Sequence, residues 1–119
     1  MRYMFLVYSV ENALANPETL QSVAERHRKV MDEAAQKGVF ESAEPLKTTN
    51  TATTVRTQNG KALLVDGPFA ETKEQLAGYY ILNCKDLDEA IEWAKKIPTG
   101  CHGGEGCIEI RPLREGIPQ

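Results

Sequence analysis

The sequence of 119 residues has few cysteines, no long apolar stretch and no excess of basic residues. Three cysteines cannot build a disulfide scaffold, so a reducing cytoplasm is the expected location. The longest uninterrupted apolar run, Met4–Tyr8, is far shorter than the roughly 20 residues that cross a bilayer, and no secretory leader is recognised. Lys and Arg number 14 against 17 Asp and Glu, a net charge of −3, which argues against nucleic-acid binding through clustered basic residues.

The composition is that of one folded domain. Hydrophobic residues make up 41% of the chain and charged residues 26%, which are ordinary values for a globular protein. The length accommodates a single domain, residues 1–119, and we expect a frayed tail from residue 114 onward.

Capping residues mark the ends of two predicted helices. Asn16 as N-cap and Pro17 at the first helical position begin a helix that ends at Gly38. Asp86 resembles the first residue of a capping box and begins a second helix, which Pro98 ends. Both segments carry apolar residues at helical spacing, so each helix has one face to bury.

The predicted strands are short runs rich in branched and aromatic residues, separated by turn residues. Asn59-Gly60 between two such runs is the strongest local signal for a β-hairpin. A short helical turn is predicted at residues 70–75. The predicted strands span residues 2–8, 39–46, 52–57, 61–65, 78–84 and 107–113.

The order of elements predicts an α+β fold of the ferredoxin-like, split βαβ type, with an inserted β-hairpin. The strand at residues 2–8 is apolar on both faces, whereas two helices can cover only one face of a four-stranded sheet. A second copy packed on the other face would resolve this, so we expect a homodimer with two-fold symmetry.

The segment Asp66–Leu82, which reads Asp-Gly-Pro-Phe-Ala-Glu-Thr-Lys-Glu-Gln-Leu-Ala-Gly-Tyr-Tyr-Ile-Leu, resembles the signature of the DGPF-domain family, a branch of the YCII-related proteins. Weaker agreement covers most of the remaining chain, including residues 52–56, 86–98 and 109–112. The resemblance implies a dimeric α+β barrel. It also implies a link to regulation, because family members occur beside or fused to sigma-factor-like proteins.

YCII-related relatives look like enzymes because, in them, a His on the first helix faces an Asp near the end of the second helix, just before a Pro. His27 matches the first of these positions. The second position departs from the pattern, because Lys95, Lys96 and Ile97 precede Pro98. The family's His–Asp pair therefore does not transfer to this chain as it stands.

His27 is the first candidate site residue. It lies three residues after Ala24 and four before Met31, on the apolar stripe of the first helix. Burial there should lower the pKa of the imidazole and keep it neutral near pH 7. A neutral His beside a cavity can act as a general base, and the alternative is a hydrogen-bonded packing residue.

Asp66 is the second candidate, because it ends a predicted strand. A carboxylate at that position can hold a His, orient a substrate or bind a cation, whereas Asp before Gly67-Pro68 can equally be a turn residue. Phe69 is predicted to be buried, as an aromatic anchor that holds this loop to the barrel.

Cys101, His102 and Cys107 place three possible zinc ligands within seven residues. Their spacing is not one that zinc sites commonly use, so no metal and no cofactor are predicted. Taken together, the sequence favours a module that binds a small molecule or regulates a partner, and the alternative is an enzyme with His27 as general base in a pocket between helix and sheet or at the dimer interface.

Overall fold

The computed structural model describes residues 1–11, 17–100 and 105–115, with the side chains of residues 17–19 left out. It contains six strands and two α-helices within these ranges. In chain order they are β1 (Arg2–Ser9), α1 (Pro17–Gln36), β2 (Phe40–Pro45), β3 (Thr53–Gln58), β4 (Lys61–Asp66), β5 (Gln75–Asn83), α2 (Leu87–Ala94) and β6 (Gly106–Pro112), with a 3-10 turn at Thr49–Thr51 between β2 and β3.

Four of the strands form one antiparallel sheet in the order β2-β5-β1-β6. The strand that comes first in the chain lies at the centre, paired with β5 on one side and with β6 on the other. This is the strand order of the split βαβ plan, in which each helix connects two strands that are not neighbours. The predicted α+β, ferredoxin-like fold is confirmed.

The helices cover one face of this sheet. On β1 the side chains alternate, so that Tyr3, Phe5 and Val7 are buried beneath the helices. Val30 on α1 and Trp93 on α2 belong to the same core. Burial of these side chains supplies the main driving force for folding, at roughly 1.5–3 kcal/mol for each large apolar group.

The opposite face, called the open face below, carries partly buried apolar side chains on β1 and β5. Its register places Met4 beside Ile81 and Leu6 beside Tyr79, with Tyr8 next along β1. On β6 the same face carries charged residues, with Glu109 beside Leu6 and Arg111 beside Met4. None of these open-face side chains belongs to the core cluster that the helices and the sheet form. The prediction that β1 is apolar on both faces is therefore confirmed.

The helix ends agree with the sequence signals in most details. Gly38 adopts a φ of +74° after α1, and its N–H donates to the carbonyl of Ala35 at 3.1 Å. The Asp86 carboxylate accepts a hydrogen bond from the N–H of Glu89 at 2.9 Å, the capping contact that begins α2. The predicted N-cap Asn16 lies outside the described residues.

Two boundaries differ from the prediction for a physical reason. Helix α2 ends at Ala94 because the chain tightens into i→i+3 bonds before Pro98, with the N–H of Ile97 donating to the carbonyl of Ala94. Strand β5 begins at Gln75, earlier than predicted, because its pairing with β1 continues past Gly78 to the Ser9–Gln75 pair. A Cβ at Gly78 would come within 2.7 Å of the Glu44 carbonyl oxygen on β2.

The inserted hairpin, β3 and β4, is confirmed but forms a separate two-stranded sheet. Asn59 and Gly60 both have positive φ values, of 50° and 76°, as the two central residues of a type I′ turn require. We call residues 53–66 the arm. Every residue of β4 is exposed, so the arm receives little cover from the rest of its own chain.

The segment between the arm and β5 contradicts two predictions. Residues 70–74 form no helix, because the Gln75 side chain bonds the carbonyl of Thr72 while Gln75 itself pairs with Ser9 in the sheet. Phe69 is 78% exposed and is not the buried anchor that the sequence suggested. Phe69 follows the base of the arm, where the chain lies away from the main sheet and the ring has no core to pack into.

Candidate functional site

A cavity of about 370 Å³ lies between α1 and the helix-covered face of the sheet. We call it the α1 cavity. Its walls come from α1, from the end of β1 and from neighbouring parts of β2 and β5, with residues 98–100 at one end. Most of the wall is apolar and includes Val7, Val23, Ala24, Met31, Ala43 and Pro45.

His27 and Tyr80 form the main polar feature of the cavity wall. His27 projects from α1, and Tyr80 is a β5 residue that is only 3% exposed. The Nδ1 atom of His27 lies 2.6 Å from the hydroxyl oxygen of Tyr80. Helix and sheet thus meet through a side-chain hydrogen bond at the edge of an otherwise apolar space.

The protonation of this pair follows from burial. Burial raises the pKa of the Tyr80 phenol far above its usual value, so the hydroxyl keeps its proton. Burial, together with the positive charge of Arg26, lowers the pKa of His27 to about 4. The Tyr80 hydroxyl can donate to Nδ1 or accept from it; we assign Tyr80 as the donor, which places the imidazole proton on Nε2.

This arrangement suits recognition better than proton transfer. An imidazole whose conjugate acid has a pKa of about 4 is a weak base at pH 7, and its Nδ1 lone pair is already used by Tyr80. The Nε2–H is a hydrogen-bond donor that a bound molecule can satisfy. A donor in an apolar cavity favours a ligand that presents an acceptor at that point.

Two charged side chains, Arg28 on α1 and Glu44 on β2, also line the cavity. Both residues are exposed, which places them at the solvent side of the cavity. The rim therefore carries charges of both signs, whereas the interior is apolar.

Asp66 lies apart from this cavity. It is an exposed residue at the end of β4, pairs with Thr53 within the arm and is not part of the cavity wall. Within one subunit the structure does not bring Asp66 and His27 together, because β4 belongs to the arm and not to the main sheet. The partner of His27 is a tyrosine and not the expected carboxylate.

Comparison with known proteins agrees with the topology. The model of the YCII-related domain matches residues 1–116. The chain belongs to the YCII-related family. It is 45% identical over 65 residues to an uncharacterised protein of Rhizobium meliloti (strain 1021). The match covers 55% of this chain and 52% of that relative, so the chain spans about half the length of the curated relative.

The positions where enzymes of the YCII-related family are expected to place an acid have other roles here. The Lys96 ammonium pairs with Glu33 on α1 at 2.7 Å and lies 4.7 Å from the centre of the Trp93 ring. Lys95 pairs with Glu92 at 2.8 Å, and Ile97 is buried in the core. In this YCII-related chain, the Lys96–Glu33 ion pair joins the end of α2 to α1.

The possible zinc ligands give no site that can be described. Cys101 and His102 lie outside the described residues, and Cys107 is an exposed strand residue opposite Tyr8. In the ranges that the structure covers, no group of three or more His, Cys, Asp or Glu side chains could hold a metal ion. Nor does any described helix have the length and apolar character needed to cross a membrane.

The sequence placed His27 on the apolar stripe of α1 but did not identify Tyr80 as its hydrogen-bond partner. The signal was available in the alternation of β5, where Gly78, Tyr80 and Leu82 share the face that α1 covers. Tyr79, one residue earlier, points to the open face instead, so two adjacent tyrosines have different roles.

Proposed function

We propose that this YCII-related protein is a homodimeric module that binds a small organic molecule in the α1 cavity. The observation that carries the proposal is the buried His27–Tyr80 pair at the wall of a cavity of about 370 Å³. A preformed apolar space with a few fixed polar groups is the usual form of a small-molecule site.

The ligand should be mainly apolar and should carry at least one hydrogen-bond acceptor, such as a carbonyl or ether oxygen. The apolar walls supply hydrophobic contact, and the Nε2–H of His27 supplies the oriented donor. Because the imidazole is neutral, it favours a ligand with a hydrogen-bond acceptor at the right position, and a negative charge on that acceptor matters less.

The enzyme alternative keeps His27 as a general base. The position of His27 beside a cavity supports this alternative. It requires the proton to leave Nε2 and His27 to become the donor, with Tyr80 the acceptor, in their hydrogen bond. The low pKa of His27 makes this unfavourable near pH 7, so binding is the function that the geometry supports best.

The test is an NMR fragment screen on the 15N-labelled protein, using small ketones, lactones and phenols. Fragments that bind should shift amide signals of cavity residues such as Val23 and Met31. In His27→Gln, affinity for the same fragments should fall about tenfold, because the ring donor is lost. In Tyr80→Phe it should fall less, because the ring is then a mixture of tautomers. Lys29→Gln, an exposed change on α1 away from the cavity wall, serves as control.

Two results would contradict the binding proposal. One is a screen in which no fragment shifts any cavity amide. The other is equal affinity for the bound fragments in wild type, His27→Gln and Tyr80→Phe. Turnover of a fragment by the wild type that His27→Gln abolishes would instead favour the enzyme.

The dimer is supported by the open face. The open face carries an apolar surface outside the core cluster, formed by Met4, Leu6, Tyr8, Tyr79 and Ile81. Exposed apolar patches of several hundred Å² on a folded protein usually mark an interface. Face-to-face packing of two such sheets would bury the patch on both copies and give the dimeric α+β barrel.

Leu6→Glu should weaken the dimer, because it places a charge at the centre of the open face. The measurement is sedimentation equilibrium at several protein concentrations, with Gln36→Glu on the exposed side of α1 as a control of equal added charge. A wild-type protein that sediments as a monomer at micromolar concentration would contradict the dimer.

The location and partner remain part of the proposal. The described cysteines, Cys84 and Cys107, are both free thiols, which supports a reducing cytoplasm. The resemblance to the DGPF-domain proteins suggests a regulatory partner of sigma-factor-like type. Such a partner would bind differently to the protein with and without a ligand in the α1 cavity.

A further inference from the structure

We propose that the arm, residues 53–66, is a docking element that packs one of its two faces on a second copy of this chain. The face in question carries Val55 and Leu64, which lie opposite each other across the hairpin. We call it the outer face. The proposal extends the dimer part of the proposed function and does not depend on the ligand.

The first observation is the position of the arm. The molecule extends over 47 × 44 × 18 Å, so it is a slab with the thickness of one sheet and one helix layer. A sheet of four strands is only about 19 Å wide at about 4.8 Å per strand. The arm therefore extends sideways beyond the sheet and does not fold back over it.

The second observation is the exposure of the arm's apolar side chains. On the outer face, Val55 is 62% exposed and Leu64 is 76% exposed. On the other face, Leu63 and Val65 are less exposed, at 44% and 45%. Phe69, at the base of the arm, is exposed too. Val55 and Leu64 thus form an exposed apolar patch on the outer face, between Thr53 and Asp66 on one side and Thr57 and Ala62 on the other.

A hairpin of two short strands is at best marginally stable in water without a surface to pack against. The arm nevertheless has a complete ladder from the Thr53–Asp66 pair to the Gln58–Lys61 pair. A permanently available partner explains why such a segment can be apolar and ordered. The partner that is always present at equal concentration is a second copy of the same chain.

The size of the interface supports the same occupant. The open face of four strands, each about eight residues long at about 3.3 Å per residue, covers about 500 Å² per subunit. This area is a flat footprint, and apolar side chains occupy only its β1 and β5 part, because β6 carries Glu109 and Arg111 on the same face. The outer faces of two arms, added by symmetry, would enlarge the apolar part of the interface toward that of stable protein interfaces.

Leu64→Glu tests the arm. We expect it to raise the dissociation constant of the dimer at least tenfold in sedimentation equilibrium. The control, Gln58→Glu, adds the same charge near the tip of the arm and should change the constant less than twofold. An unchanged constant in Leu64→Glu, in a variant whose circular dichroism matches wild type, would overturn the proposal.

Comparison with Leu6→Glu separates the arm from the open face. If Leu6→Glu dissociates the dimer while Leu64→Glu leaves it intact, the arm proposal fails and the dimer stands. If the wild type is monomeric, both fail, and neither result bears on ligand binding in the α1 cavity.

A second measurement applies if Leu64→Glu does not fold. A photo-reactive benzoylphenylalanine replaces Leu64, and illuminated samples that mix 15N-labelled and unlabelled chains are analysed by mass spectrometry. Cross-links that join a labelled chain to an unlabelled chain support the proposal. Cross-links confined to one chain, or directed only to other proteins added as competitors, overturn it.

Discussion

At the scale of single residues, the most informative contact is the hydrogen bond between His27 and Tyr80. Each group has its pKa moved by burial in the direction that keeps it neutral, upward for the phenol and downward for the imidazole. The pair can therefore stay buried without an ion partner. A neutral pair of this kind holds a fixed pattern of one satisfied acceptor and one available donor.

We expect the imidazole of His27 to be the Nε2–H tautomer at pH 7, with the Tyr80 hydroxyl as the donor to Nδ1. The 15N chemical shifts of the ring nitrogens measure this directly. Tyr80→Phe should shift the ring toward a mixture of tautomers, whereas Tyr79→Phe, on the open face, should leave it unchanged. A ring that is already an equal mixture in the wild type would contradict the assignment.

Stability should depend on pH through His27. Its pKa in the folded protein is about 4, against an ordinary value of 6.5, so the unfolded chain binds the proton more tightly. The contribution is complete above pH 6.5 and is lost as the pH falls from 6.5 toward 4. We expect a loss of about 1–2 kcal/mol, after allowance for remaining solvent contact.

Urea unfolding at a series of pH values measures this loss. His27→Gln carries no titrating ring and should show a smaller decrease in the free energy of unfolding between pH 6.5 and pH 4. Identical pH profiles for the two proteins would show that His27 is not buried in the way described.

The site could be predicted in part. His27 was accessible from the sequence because helical spacing places it on a buried stripe. The hydrogen-bond partner of His27 could not be predicted, because the choice between Tyr80 and Asp66 requires the register of β5 and the position of the arm. Those are long-range properties that local patterns do not contain.

At the scale of elements, the helices and strands follow local chemistry closely. Capping residues and alternation predicted all eight elements, with boundaries shifted by a few residues. The failures lie between elements. The expected helical turn at residues 70–75 is absent, and Phe69 is exposed, because both depend on where the arm leads the chain.

The N-cap of α2 gives a prediction at this scale. Asp86→Ala removes the acceptor for the N–H of Glu89 and should lower the free energy of unfolding by about 1 kcal/mol. Asp88→Ala, in the first turn of the same helix, should have a smaller effect because Asp88 is not the capping residue. Urea unfolding compares the two, and equal effects would argue against the cap.

Phe69 gives a second prediction. In the background of Leu6→Glu, where the subunits should be separated, Phe69→Ala should change the free energy of unfolding by less than about 1 kcal/mol, because the ring is exposed. Phe5→Ala, at a fully buried position, should cost about 3–5 kcal/mol in the same assay. A similar cost at both positions would show that Phe69 is part of the core.

At the scale of the whole molecule, the proposed dimer would make the stability of one subunit depend on the other, because the open face and the outer face of the arm would be covered only when two subunits associate. The melting temperature should therefore rise with protein concentration, by roughly 3–6 °C for each tenfold increase. Scanning calorimetry over a hundredfold range of concentration measures this. A melting temperature that stays constant would mean that the folded subunit is stable alone.

The central place of β1 also sets the order in which the chain can fold. Leu6 pairs with Tyr79 on one side and with Glu109 on the other, so both partners of β1 are synthesised long after it. Closing such distant contacts is slow, and refolding should take milliseconds to seconds. On the ribosome, one edge of an apolar strand stays unpaired until β6 emerges, and nascent chains are most exposed to mispairing with each other during that interval.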